Sequence, residues 1–283
     1  MSVSAKIYFL IAISSLCNAS DFQSPRTAAL GGSGHAAPLL NDSIYQNPTQ
    51  ASFLKKYSVS AAYGSFQGET KEDDPGLNGK NYNVSVLDAR NENFQAGVGY
   101  AIRSGERYIH VSMSKAISDK LALGAGTKFI MPKEVFEFDN SDFSFSIGFV
   151  PSQNIQFALI VDNLIQREDN SKKFNLYREI TLGLKIELIS KVKLYADPHL
   201  TPLFFGNKRF GYEVGAEVSV FEDLYLRGGY FHQSLVPTQG DYGDGYGLGA
   251  GWMAPKISFD YAYSMAVKPK PASTHTFGLT VFF

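Results

Sequence analysis

From Tyr57 to Phe283 apolar side chains return at every second position, in blocks of roughly 8 to 12 residues separated by turn-forming residues. A period of two places alternate side chains on opposite faces of an extended strand, whereas a helix needs a period of 3.6. One block puts Ile180, Leu182, Leu184, Ile186 and Leu188 on one face and Glu179, Thr181, Gly183, Lys185 and Glu187 on the other. In a second, Tyr212, Val214, Ala216, Val218 and Val220 oppose Gly211, Glu213, Gly215, Glu217 and Ser219. A third sets Ile257, Phe259, Tyr261 and Tyr263 against Ser258, Asp260, Ala262 and Ser264. Fourteen blocks are legible, at 57–66, 81–88, 94–102, 107–116, 121–130, 142–150, 154–162, 176–188, 191–199, 208–220, 223–232, 244–253, 256–264 and 274–283. Most are close to the ~9–11 residues that cross a bilayer as a tilted strand. An even number of strands is also what bacterial single-chain barrels use.

The polar face carries Glu179, Lys185, Glu187, Lys193, Asp197, Glu213, Glu217, Arg227 and Asp260. Turning a Lys or Arg to the bilayer midplane costs about 2–4 kcal/mol, so this face is expected to line the interior of an antiparallel up-and-down barrel. Glu213, Glu217, Arg227 and Asp260 are expected to form a luminal charge network that neutralises itself and holds a plug. Gly245, Gly247, Gly249 and Gly251 fall on the same inner face of one block. A run of Gly weakens a strand and marks close approach of another backbone, so something is expected inside the barrel. Tyr63, Tyr100, Trp252, Tyr261 and Tyr263 fall on the outer face and are expected near strand ends, as an interfacial girdle.

The links between blocks sort by parity. Longer polar ones cover 67–80, 131–141, 163–175, 200–207, 233–243 and 265–273, with 104–106 the exception. Tight ones cover 117–120, 151–153, 189–190, 222 and 254–255, with 89–93 slightly longer. Short turns on one side and longer loops on the other are the transmembrane-barrel arrangement. A secreted β-sandwich, the non-membrane alternative, has no reason to sort its links this way.

Ahead of the strands lie two further units. Residues 1–19 read as a secretory signal peptide: Lys6, an apolar run Ile7–Ile13, and Cys17-Asn18-Ala19 before Ser20. Lipidation at Cys17 is the rival reading, which Leu16 fits badly; cleavage after Ala19 leaves a mature chain without cysteine and hence without disulfides. Residues 20–56 are rich in Gly, Ala, Pro and Asn, yet carry Leu39, Leu40, Ile44, Tyr45, Phe53 and Leu54. A free tail would be more polar, so this segment is expected to fold into the lumen as a hatch, with 57–283 forming the barrel.

Ala29-Leu30-Gly31-Gly32-Ser33-Gly34, Asn41-Asp42-Ser43, Tyr45 and Asn47-Pro48 resemble the segment that precedes the first strand in FadL-like and PorV-like outer-membrane proteins. Ile160–Leu164 and Leu224–Tyr230 are similar to strand segments of the PorV-like group. The resemblance implies a fourteen-stranded barrel with an N-terminal hatch, in which Gly31, Gly32, Gly34, Asn47 and Pro48 are the mobile elements. It implies passive passage of small hydrophobic compounds, or alternatively a PorV-like scaffold that binds envelope or secreted proteins. FadL proper is longer, with bigger outer loops. The final residues Thr276–Phe283 resemble the signal read by the barrel-assembly machinery, carried by Gly278, Val281 and Phe283. Expected partners are therefore outer-membrane lipid, that machinery, and a small hydrophobic ligand or an envelope protein.

Charge and chemistry narrow the rest. With 27 acidic and 26 basic residues there is no basic excess to point to nucleic acid. His35, His110, His199, His232 and His275 are scattered, with no metal-ligand spacing. The acidic tips Glu72-Asp73-Asp74 and Asp139–Asp142 read as solvated loops. No catalytic constellation, cofactor or metal site is legible, and the chain reads as a non-enzyme.

Overall fold

A computed structural model describes residues 23–68, 79–103, 106–132, 140–165, 177–204, 207–236, 239 and 241–283. The signal peptide at 1–19, the acidic run Glu72–Asp74 and Asp139 lie outside the described residues. The strands are β1 (Tyr57–Gly68), β2 (Gly79–Asp88), β3 (Gln95–Arg103), β4 (Glu106–Ser118), β5 (Leu121–Pro132), β6 (Asn140–Ser152) and β7 (Ile155–Asp162). They continue as β8 (Glu179–Ile189), β9 (Val192–Phe204), β10 (Asn207–Ser219), β11 (Leu224–Val236), β12 (Asp241–Met253), β13 (Ile257–Ala266) and β14 (Ala272–Phe282).

Each strand pairs with its sequence neighbours, and β1 pairs with β14, so the sheet closes on itself as a fourteen-stranded antiparallel barrel. Closure removes the unpaired sheet edge, the one arrangement of strands that leaves no backbone group unsatisfied in lipid. The seam runs without a register break from Ser58 opposite Phe282 to Gly68 opposite Ala272. Beyond it Phe283 N–H donates to the Tyr57 carbonyl at 2.9 Å, and the two rings lie 5.9 Å apart.

The alternation reads out as expected. Leu182, Val214, Val218, Phe259, Phe277 and Leu279 are exposed on the outside, while Thr181, Lys185, Glu213, Glu217, Arg227 and Ser258 are buried on the inside. Two details differ from the sequence reading. Tyr63, Tyr100, Tyr261 and Tyr263 stand in mid-strand rather than near strand ends, because alternation reports which face a side chain takes and not how far along the strand it sits. Tyr63 lies 5.3 Å from Tyr82, and Tyr261 lies 5.0 Å from Phe277. Trp252, by contrast, sits at the end of β12 and stacks on Phe259. The links expected at 200–207 and 233–243 also shrink, since β9 runs on to Phe204, β10 begins at Asn207 and β11 reaches Val236.

Candidate functional site

Residues 24–54 occupy the inside of this wall. A short helix α1 (Pro25–Ala29) begins the segment, fixed by a reciprocal cap: Thr27 N–H donates to Ser24 Oγ at 3.1 Å, and Ser24 N–H donates to Thr27 Oγ1 at 2.9 Å. Pro25 opens the helix, where its missing N–H costs nothing. The chain then turns through Gly31, Gly32 and Gly34, whose φ angles of 64°, 90° and 118° are ones that side chains rarely adopt. Two 3₁₀ turns follow, Leu40–Ile44 and Pro48–Phe53. Asn47 caps the second, accepting from Thr49 N–H at 3.2 Å and Thr49 Oγ1 at 2.6 Å. Its amide also donates to the His35 carbonyl at 2.8 Å, stapling the two parts of the segment together.

Small wall residues make room for this chain. A methyl group at Gly229 would overlap the Leu30 carbonyl, and one at Gly247 the Ala28 carbonyl. At Gly249 it would come within 2.6 Å of Ala29 Cβ, and at Gly183 within 2.6 Å of Ala36 N. Gly124 faces Pro48 and Thr49, Gly97 faces Ile44, and Gly278 faces Pro25. The Gly run in β12 therefore has a mixed purpose: Gly247 and Gly249 admit the segment, while Gly251 leaves space for Asp260 and Arg227, and Gly245 for Phe231. Gly31 itself lies against the Tyr230 backbone, so in this state Gly31–Gly34 is a seated turn rather than a loose loop.

Three of the four residues of the expected charge network meet. Arg227 Nε donates to Glu217 Oε2 at 2.7 Å, and Arg227 Nη1 to Asp260. Glu213 does not join them. It lies four residues from Glu217 on the same face, about 13 Å along the strand, and pairs with His199 at 3.1 Å. The alternation pattern reports a shared face and is silent on distance along it, which is why the four were grouped. Two cations complete the cluster: Lys193 Nζ donates to Glu217 Oε1 at 3.0 Å, and Arg26 of the internal segment to Glu217 Oε2 at 3.3 Å. Arg26 also donates to Tyr195 Oη at 2.8 Å. Burial opposes the Arg26 charge, but Tyr195, Glu217 and Asp42 together raise its pKa above the ordinary arginine value. Nearby, Asp197 Oδ2 accepts from Gly34 N–H at 2.6 Å, His35 N–H at 2.9 Å and the His35 ring at 3.0 Å. Burial opposes a charge on His35, yet the bond to Asp197 and the charges of Asp197, Glu213 and Glu179 raise its pKa to about 9.

The other part of the segment meets the wall without ions. Ile44 and Ala51 cluster with Leu87 and Ala89, and Asn83 donates to Tyr45 Oη at 2.6 Å. Ser58 donates to Asn41 at 2.6 Å, and Ser52 to Gln95 at 2.7 Å.

Past Ala28 and Gly31, toward the side of the longer links, lies a cavity of about 50 Å³ between β1, β2, β11, β13 and β14. Outside, against the same stretch of wall, an apolar groove of about 410 Å³ is lined by Tyr63, Tyr82, Phe259, Phe277 and Leu279. Ala62, Tyr63, Tyr82 and Asn83 border both.

No model of a protein family matches the chain, and no curated protein matches it either. Solved structures do match. The toluene transporter TbuX of Ralstonia pickettii aligns with a TM-score of 0.66 at 10% identity, over 93% of this chain and 98% of that one. The monoaromatic hydrocarbon channel CymD gives 0.66 at 12% identity, over 92% and 96%. The toluene transporter TodX of Pseudomonas putida gives 0.64 at 11%, over 95% and 98%. The barrel has the fold of these channels. That likeness is one of fold, and it extends across nearly the whole length of each neighbour. No PorV-like scaffold stands among these three, and the segments that resembled one, Ile160–Leu164 and Leu224–Tyr230, lie at the end of β7 and the start of β11.

Sequence reasoning passed over Arg26, Tyr195 and the pairing of His35 with Asp197. Arg26 carried a signal, as an isolated cation in an otherwise small and apolar stretch opposite a barrel with buried carboxylates. Tyr195 carried none. Gly278 lies on the inner face against Pro25, whereas Phe283 is exposed on the outer face beyond β14.

Proposed function

We propose that the protein is a FadL-like passive channel of the outer membrane, admitting small hydrophobic compounds past an N-terminal hatch. The observation that carries this reading is the chain's own residues 24–54 packed within a fourteen-strand wall, with a cavity directly beyond them. The names of the solved neighbours, transporters and channels for toluene and other monoaromatics, support the solute class.

Apolar solutes leave water for apolar surface because burial removes the cost of hydrating them. No energy source is needed for such passage, and no cofactor or catalytic step enters it. The cavity of about 50 Å³ is only a third of the ~150 Å³ apolar cavity that takes up benzene. A one-ring solute therefore passes only if the floor formed by Ala28 and Gly31 moves. Gly31, Gly32 and Gly34 on one side and Asn47-Pro48 on the other are the turns about which it moves. The solute then continues through the space vacated, or sideways across the stretch of wall shared by cavity and outer groove. The strand ending in Gly278, Val281 and Phe283 serves the barrel-assembly machinery that inserts the protein.

Uptake of labelled toluene is to be compared between cells lacking the gene and cells with it restored. Slower uptake in the deletion strain is expected, and equal uptake in the two would end this reading.

A further inference from the structure

The cavity beyond the hatch has two unlike walls. On one side Phe231, Val236 and Ala266 form a buried apolar cluster. This wall is shaped by a bulge in β11, where the register with β12 shifts between Phe231 and Ser234 and Gln233 adopts a φ of 51°. Bulges re-aim side chains next to functional sites. On the other side stand Asn81, Thr274 and Thr276. Gly64 pairs with Asn81 on β2 and with Thr276 on β14. A methyl group there would touch Asn81 Cβ at 3.7 Å and Thr276 Oγ1 at 3.8 Å, so the bare glycine keeps open the space between the two polar side chains.

Asn81 Oδ1 is buried and has no hydrogen-bond partner among the described residues. Leaving a buried polar atom unpaired costs about 1–3 kcal/mol. A bare hydrocarbon in this cavity would hold that cost in place, whereas a hydroxyl group would remove it. Whichever way the carboxamide is turned, it offers an acceptor or a donor, and a hydroxyl answers both.

We propose that this cavity selects a single apolar ring bearing one hydroxyl, the phenol class, over the unsubstituted hydrocarbon. With the floor of Ala28 and Gly31 displaced to widen the cavity, the ring packs on Phe231, Val236 and Ala266, and the hydroxyl meets Asn81 beside Thr276. The inference rests on the channel reading above and narrows its solute.

The test uses the full-length protein in detergent, titrated calorimetrically with p-cresol and with toluene, alongside the Asn81→Leu and Thr276→Val variants. Wild type is expected to prefer p-cresol by roughly five- to tenfold, the range set by one satisfied hydrogen bond. Asn81→Leu is expected to abolish that preference while toluene binding holds or tightens. Heat-modifiable migration shows that each variant barrel has folded, and Thr276→Val repeats the test should Asn81→Leu fail that check. Equal affinity of wild type for the two ligands would overturn phenol selection while leaving passage of apolar solutes intact. Binding of neither would overturn both readings at once. A preference unchanged in both variants would remove Asn81 and Thr276 as its source.

Discussion

Residues 24–36 meet the wall through buried ions, bare backbone and small alanines, whereas residues 40–54 meet it through larger apolar side chains and neutral hydrogen bonds. The second part is also only two residues from β1, through Lys55 and Lys56, so it cannot travel far. The first part has no such tether on its N-terminal side among the described residues. Of its two ion pairs one tolerates departure, since Glu217 keeps Arg227 and Lys193 when Arg26 leaves, whereas Asp197 gives up His35 and holds the turn at residues 34–35 in place. A buried carboxylate stripped of every cation would be costly, but one stripped of a single cation out of three is not. In the proposed channel, this different chemistry at the two ends divides an anchor from the floor that moves, and the Asn47–His35 and Ser24–Asp42 bonds join them.

That division breaks most severely at Glu217. Glu217→Ala removes the carboxylate that gathers Arg26, Lys193 and Arg227, of which only Arg227 retains another direct ion pair, with Asp260. Breaking a buried pair by deleting one partner costs about 3–5 kcal/mol, so the urea midpoint of the heat-modifiable band should fall markedly. A midpoint equal to wild type would show that the cluster does not hold the segment.

A substitution on the wall separates the two ends more cleanly. Gly229→Val fills the trough that receives the Leu30 carbonyl, and leaves the contacts of residues 40–54 with the wall in place. The first part should be expelled while the second stays seated, giving larger single-channel conductance in planar bilayers with little change in barrel stability. Conductance unchanged from wild type would mean that residues 24–36 do not block the lumen.

The smallest effect is expected at the junction. Asn47→Ala deletes a helix cap, worth about 0.5–2 kcal/mol, together with the bond to the His35 carbonyl. Amide exchange should quicken in both parts of the segment, since both lose a restraint. Faster exchange confined to Thr49 and its neighbours would show that the staple does not couple them.

Much of the architecture was written locally. Fourteen strands, their inward and outward faces and the need for something inside the lumen all follow from a two-residue period, from charges that cannot face lipid and from the glycines of β12. The segment's partners were not readable in the same way. Glu213 and Glu217 look equivalent in sequence, because alternation reports which face a side chain takes but not how far along the strand it sits. Only the fold separates them, giving one to His199 and the other to Arg26, Lys193 and Arg227.

What the sequence determined by itself is therefore the barrel: strand period, sidedness and closure are properties of neighbouring residues and of the solvent each face must meet. What the tertiary structure alone decided is where residues 24–54 rest, which charges they satisfy and how little room stays open beyond them. Those depend on the stagger of one strand against the next, which brings Arg26 to Glu217 across 191 positions of chain and leaves Asn81 facing a cavity. No local pattern carries that information, because it is fixed by the closed sheet as a whole.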